Sequence, residues 1–321
     1  MKKYIISIVL ILISTVITIT SVEFILKFYK LDEHTLYYSS NHYGYNKKPN
    51  QKIIRNNSKI STDNLGNRNP IQNTIENTNL FFLGDSVTFG GSAVNDNETF
   101  SDILAKRLNK NYLNISNNGW GIPNIINFID SHNLYKANST YILVCIIDCF
   151  TRNLRRFEQY FFFSENYKFG IINYLKFLTY KVTELFRGSD TNFDLKRSKN
   201  ETLSGKVLET HDNINTIKLS VKLLKEFKDK IELNNSKLIF LYSPNTNYIK
   251  STISKNFDIE DYPRVELFKS LANFNIDYVN ILEKLNEKEF NLFGRFFIDK
   301  VHLSKEGHQL YADILEKKIN E

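Results

Sequence analysis

"LFFLGDSVTFGG" occupies residues 80–91, and its reading decides the fold. Four apolar residues run without a polar break, and the run stops at Gly84-Asp85-Ser86. A short, uninterrupted apolar run fits a strand buried on both faces, as in a parallel sheet covered by helices. Ser86 then falls at the carboxyl end of that strand. Its N–H opens the next loop or helix, a position that favours an anion and can supply one oxyanion donor. Gly-Asp-Ser is also a common turn, so the rest of the chain has to decide.

Outward from this stretch the chain alternates. "ETFSDILAKRLNK" sets Phe100, Ile103, Leu104 and Leu108 at helical spacing, and "YLNISN" (112–117) reads as a second strand. "IPNIINFIDSHNLYK" reads as a helix, "TYILVCII" (140–147) as the third strand and "KLIFLYSP" (237–244) as the fourth. Before that fourth strand, a Lys- and Leu-rich helix carries Ile214, Ile217, Val221, Leu224 and Ile231 on one stripe. "YPRVELFKSLANFN" is another helix, "DYVNIL" a fifth strand, and "SKEGHQLYADILEKKI" the closing helix. Strands alternating with helices predict an α/β domain with a parallel sheet, its function at the carboxyl ends of the strands.

Bulk properties narrow the classes. The 321 residues are 42% hydrophobic and 24% charged, the range of a packed globular chain. The formal charge of +7 comes from scattered lysines, with no dense basic block, so no nucleic-acid partner is expected. His, Cys and carboxylate groups are not clustered at ligand spacing, so neither metal nor cofactor is expected. Cys145 and Cys149 fall where a strand ends. Four residues of extended chain span roughly 13 Å, beyond the reach of about 7 Å that a disulfide needs. Two buried thiols are therefore expected.

Lys2 and Lys3 precede an uncharged run over residues 4–22. Nineteen residues of helix rise about 28 Å, close to the hydrocarbon thickness of a bilayer. The run is longer than a signal-peptide core and no small-residue cleavage triplet follows it. Residues 1–30 therefore read as an uncleaved signal anchor and transmembrane helix. The lysines would lie on the cytoplasmic side, with the rest of the chain periplasmic or otherwise extracytoplasmic. Residues 31–78 are polar and read as a stalk and lead-in arm, and 79–321 as the main domain. An insertion at about 150–210 carries the aromatic patch "FEQYFFFSENYKFGIINYLKF". Long structured insertions are mostly functional, so a substrate wall is expected there. A self-packed helical subdomain and an aromatic surface near the membrane are the alternatives.

The chemistry needs a base for Ser86, and the base needs a carboxylate to fix its tautomer. "FFIDKVHLSKEGHQLYADIL" offers Asp299 and His302 three apart, in a loop before the closing helix. His308 falls inside that helix and reads as packing or capping. "GDSVTFG" after a first strand, with "DKVHLSKEGH" before a last helix, resembles the SGNH (GDSL-type) hydrolase family over roughly residues 79–318. The resemblance implies a three-layer α/β/α, flavodoxin-like domain and ester hydrolysis or acyl transfer. It casts Ser86 as nucleophile, His302 as general base and Asp299 as its orienting carboxylate.

The resemblance also implies an oxyanion hole made by Ser86, by Gly119 in "NISNNGWGIPN", and by an asparagine after the third strand. There the chain departs from the pattern. Only Asp148 matches Gly-x-Asn-Asp, with Cys145 and Ile147 in place of glycine and asparagine. Losing one such donor costs about 100- to 1000-fold in rate, roughly 3 to 4 kcal/mol. Asn118 and Asn153 are candidate substitutes. "NHYGYNKKPNQ" and "DNLGNRNP" resemble, more loosely, the lead-in of membrane-anchored SGNH proteins linked to cell-surface polysaccharides. The reading is a membrane-anchored serine esterase or acyltransferase acting on O-acetyl or other acyl esters of cell-surface glycans. Two alternatives stand beside it: a catalytically degenerate glycan-binding or assembly protein, and a lysophospholipase-type lipid esterase.

Overall fold

The computed structural model describes residues 2–55, 57–69, 75–157, 163–165, 167–187, 212–245, 262–284 and 293–321. The chain begins with helix α1 (Lys2–Phe28) and two antiparallel hairpins, β1 (Tyr37–Ser40) with β2 (Gly44–Lys47) and β3 (Lys52–Arg55) with β4 (Ser58–Ser61). Then follow β5 (Leu80–Gly84), α2 (Ser86–Phe89), α3 (Phe100–Arg107), β6 (Tyr112–Ser116), α4 (Ile122–Ser131), β7 (Thr140–Cys145) and α5 (Asp148–Thr151). The remaining elements are α6 (Gly170–Arg187), α7 (Asn213–Glu232), β8 (Lys237–Tyr242), α8 (Tyr262–Asn273), β9 (Tyr278–Asn280) and α9 (Lys305–Asn320).

Strands β5 to β9 form one parallel sheet in the order β6-β5-β7-β8-β9. Counted from β5 this is the flavodoxin order 2-1-3-4-5, and the expected α/β class is met. Every residue of β5, β6 and β7 is buried, because helices cover both faces. Phe81 and Leu83 point into the layer that holds α4, α7 and α8. Leu80 and Phe82, one residue out of phase, point into the layer of α2, α3 and α9. The period of two along a strand thus feeds two separate cores, and removing either helical layer would expose half of each strand.

The stripe read on α7 is the stripe that packs, with Ile217, Val221, Leu224 and Ile231 all buried in the first core. Side-chain caps begin the helices where the sequence changes period. Thr99 accepts from Asp102 N ahead of α3, Asp212 from Asn215 N ahead of α7, and Ser304 from Gly307 N ahead of α9.

Three features bear on the expectations, and the first overturns one of them. Cys145 and Cys149 are joined in a disulfide, so the two free thiols read from the sequence are corrected. The spacing estimate assumed an extended chain, but Ile147 already has helical dihedrals (φ −53°, ψ −35°) and α5 begins at Asp148. The turn brings the two Cα atoms to 5.9 Å, inside the range a disulfide spans. Secondly, residues 37–69 of the expected stalk and arm pack on the domain. Tyr45, Asn46, Lys47, Arg68 and Asn69 are all buried, and Asn114 N on edge strand β6 donates to Asn69 Oδ1 at 2.6 Å. The arm covers the sheet edge that a parallel sheet would otherwise leave open. Thirdly, the aromatic part of the insertion contributes α6, whereas its polar part, 188–211, lies outside the described residues.

Helix α1 has a mean hydropathy of 2.6 over its best window, none of it buried. It is long and apolar enough to cross a membrane or to serve as a signal sequence.

Candidate active site

In a doubly wound sheet, ligands sit outside the carboxyl ends of the strands where the strand order reverses. Here that point is β5, with β6 on one side and β7 on the other. Gly84 ends β5, opposite Ser116 and Val144. A Cβ at Gly84 would lie 2.1 Å from Thr88 Oγ1 and 2.3 Å from Val144 O. Only glycine lets α2 fold back so tightly, with Thr88 Oγ1 donating to Val144 O at 2.7 Å. Gly84→Ala is expected to cost about 3 kcal/mol of stability, read from the urea midpoint. A cost within about 0.5 kcal/mol would show that the turn relaxes freely.

Ser86, half-buried, opens α2 directly after this turn. Its Oγ lies 2.9 Å from His302 Nε2. On the other side of the ring, His302 Nδ1 lies 2.7 Å from Asp299 Oδ2. Three residues spread over more than 200 positions thus form one hydrogen-bonded line at the switch point of the sheet.

The Asp299–His302 segment is built locally. Phe297 bridges Leu303, Ile298 N donates to His302 O at 2.9 Å and Ser304 N to Phe296 O at 2.9 Å, which makes a tight reversal. Inside it the other oxygen of Asp299 accepts from Val301 N and His302 N, both at 2.8 Å, an Asx turn. Burial opposes the charge on Asp299, but the hydrogen bonds from His302 N, the His302 ring and Val301 N outweigh it. They hold the carboxyl below its ordinary range. Facing an ionised carboxylate, Nδ1 of a neutral His302 carries the proton and Nε2 keeps its lone pair for Ser86. The Asp299 side chain is 50% exposed and the His302 side chain 32%, so the line opens to solvent.

Under the serine lies a second carboxylate, Asp85. It is fully buried and caps α2 by accepting from Val87 N at 3.0 Å. Its other oxygen is 3.5 Å from Arg152 Nη1. Burial pushes the Asp85 carboxyl up to about 6, against the pull of Arg152 and of the Val87 N–H. The folded chain therefore holds this proton more tightly than the unfolded chain, whose carboxyl titrates near 3.8. Stability contributed by protonated Asp85 is full in acid, falls as pH rises from about 4 to about 6, and is level above. Asp85→Asn is expected to remove that decline. The urea midpoint of the parent chain should fall relative to the variant across this window, and parallel curves would rule Asp85 out as the source.

The oxyanion candidates divide. The Ser86 N–H has no acceptor among the described residues. Gly119 has φ 74°, a left-handed conformation that favours glycine. Its loop is held by the arm: Tyr45 OH donates to Asn118 O at 2.5 Å, Trp120 Nε1 to Tyr45 O at 3.1 Å, and Lys47 Nζ to Ser116 O at 2.8 Å. Asn117 Nδ2 donates to Asn46 Oδ1 at 2.9 Å. Asn118 turns its Nδ2 toward Tyr37 OH, at 3.4 Å, away from the role of free donor. Asn153 lies beyond the end of α5 with Oδ1 accepting from Leu154 N at 2.7 Å. Ile147 stands at the N-cap of α5 and offers no side-chain donor.

Sequence reasoning missed Arg152. Besides Asp85 it reaches Trp120 O at 3.3 Å and Asp148 at 3.0 Å, tying the β7–α5 turn to the Gly119 loop. It also missed Lys47 and Arg68. Arg68 donates to the carbonyls of Phe89, Gly91 and Val94 and to Asp96, pinning the chain that leaves α2. No motif marks these residues, since each acts through tertiary contacts. His308 behaves as read: it is buried and accepts from Phe100 N at 3.2 Å, at the start of α3. Among the described residues no group of His, Cys, Asp and Glu could hold a metal.

Comparison with known proteins finds only distant likeness. No protein-family model and no curated protein matches the chain. Among solved structures, an acetyl xylan esterase, AlAXEase, aligns with 13% identity and a TM-score of 0.40, over 75% of this chain and 98% of the other. A lipase/acylhydrolase from Enterococcus faecalis aligns with 10% identity and a TM-score of 0.40, over 75% and 95%. A protein from Desulfitobacterium hafniense ascribed to the lipolytic G-D-S-L family aligns with 14% identity and a TM-score of 0.42, over 75% and 99%. Likeness at this level says nothing of the activity, which has to be read from the side chains at the end of β5.

Proposed function

We propose that this chain is a serine ester hydrolase, anchored by α1 and acting outside the cytoplasmic membrane. The observation that carries the reading is the hydrogen-bonded line from Asp299 through His302 to Ser86. His302 Nε2 takes the Ser86 proton as Oγ attacks the ester carbonyl, and the Ser86 and Gly119 amides hold the oxyanion. The imidazolium then protonates the departing alcohol, and water or a sugar hydroxyl releases the acyl group from Ser86.

The substrate class proposed is the acyl esters of glycans, O-acetyl groups first. A base and its carboxylate that stay open to solvent suit an ester carried on a polymer, which cannot enter a closed cavity. The disulfide between Cys145 and Cys149 supports an oxidising, extracytoplasmic setting. A second reading, a non-catalytic glycan-binding protein, is favoured by Ile147, which leaves the β7–α5 turn without the usual side-chain donor.

Labelling of the full chain with a fluorophosphonate distinguishes them. Expected is covalent labelling of the parent chain that is lost in both Ser86→Ala and His302→Ala. A folded parent chain that does not label would leave only the binding reading.

A further inference from the structure

Helix α6 has an apolar face with nowhere to go in water. Phe169, just before it, and Ile172, Leu175, Leu178 and Val182 recur every three or four residues, and all five are exposed. Leu175 is 55% exposed and Val182 50%. The inward side is different in kind. Asn173 is buried and exchanges hydrogen bonds with the Tyr167 backbone, and Phe177 lies against His34. A helix divided this way has one face fitted to the protein and one face fitted to something apolar.

What that is follows from where α6 begins. The carboxylate of Glu23 accepts from Gly170 N at 2.8 Å and from Ile171 N at 3.0 Å, capping the first turn of α6. Glu23 is the first charged residue after the uncharged run 4–22. Gly170 also fits closely against Asp32, where a Cβ would meet Oδ2 at 2.7 Å. The N-terminus of α6 is therefore fixed to the point where α1 leaves its apolar stretch, and Leu26, the one buried residue of α1, lies one turn beyond.

We propose that α6 is a second membrane contact, lying along the bilayer surface with Phe169, Ile172, Leu175, Leu178 and Val182 in the boundary between headgroups and acyl chains. This rests on the reading of α1 as a membrane span. If α1 spans the bilayer, Glu23 stands at headgroup depth, and a helix bonded to it starts within the interface. Flanking groups match the setting: Lys168 and Lys176 are exposed, and Lys176 lies over the Tyr167 ring at 3.9 Å. Basic and aromatic side chains at the edge of an apolar stripe are what headgroup depth accommodates. Two contacts, span and surface helix, fix the tilt of the domain, whereas a span alone leaves it free to swing.

The test uses the full chain reconstituted in vesicles of phosphatidylcholine and phosphatidylglycerol. The native cysteines are buried in their disulfide, so a single introduced cysteine takes an environment-sensitive fluorophore. Three sites are compared: Leu175→Cys on α6, Ile11→Cys in α1, and Gln309→Cys, exposed on α9. Expected is quenching of the Leu175 probe by lipids spin-labelled in the upper acyl chain, several-fold stronger than at Gln309. If Ile11 is quenched and Leu175 matches Gln309, the proposal is overturned while the anchor stands. If Ile11 is not quenched either, the anchor reading fails and takes the proposal with it. Cross-linking between copies at Leu175, without lipid quenching, would assign the stripe to a second copy of this chain and overturn the proposal. Ile172→Cys repeats the measurement one turn away and guards against a local artefact of the label.

Discussion

Replacing Ser86 by alanine is expected to lower kcat on acyl esters by on the order of 10^4- to 10^6-fold, with the folded state intact. The upper figure is what loss of the nucleophile costs a complete triad, and the lower allows for a parent chain that starts without one oxyanion donor. Stability should change by no more than about 1 kcal/mol. Ser86 is half-buried and, among the described residues, its hydroxyl hydrogen-bonds His302 alone, so its removal strands no buried partner there. The pairing of a large kinetic loss with a small stability change is what separates a nucleophile from a structural serine. Steady-state hydrolysis of a chromogenic acetyl ester, with urea unfolding of the same samples, measures both. Unchanged turnover in the variant would move the chemistry elsewhere, and equal loss of stability and activity would make Ser86 a packing residue.

The strand-to-serine junction and the Asp-His loop were legible because their physics is local. A short apolar run with no polar phase, stopped by a glycine, fits a strand covered twice, and β5 is that strand. The carboxylate of Asp299 and the imidazole of His302 are joined by a turn of four residues, so their spacing already carries their geometry. The parallel sheet with helices on both faces followed from alternation, whereas its flavodoxin-like order was implied only by the resemblance.

What stayed hidden is tertiary. Residues 37–69 have little periodicity because their hairpins are short and carry buried polar groups. Lys47 and Arg68 are buried where carbonyls of β6, of the end of α2 and of the loop after it accept their hydrogen bonds. Arg152 is silent for the same reason, since its partners Asp85 and Trp120 O are brought to it by two other strands. The disulfide was misread because a spacing of four means different distances in a strand and in a turn. The site is thus a local chemical unit set on a scaffold of non-local contacts, and only the first part is written in consecutive residues.

The second large effect is expected at Asp299, where the form of the substitution matters. Asparagine keeps an oxygen to accept from Val301 N and His302 N, so the turn that carries His302 survives. It replaces the oxygen facing Nδ1 with an amide that donates, which drives the ring proton to Nε2. Nε2–H then donates to Ser86 Oγ instead of accepting from it. In a buried triad this inversion costs about 10^4-fold in kcat. Here half of the Asp299 side chain is exposed, and water screens the lost charge, so a loss of about 10^2- to 10^4-fold is expected. Asp299→Ala removes the turn as well as the charge, and should lose more stability than Asp299→Asn while losing comparable activity. Hydrogen bonds hold the Asp299 carboxyl below its ordinary range, so the oxygen facing Nδ1 is that of a carboxylate. Hydrolysis by Asp299→Asn within a few-fold of the parent chain would remove Asp299 from the mechanism.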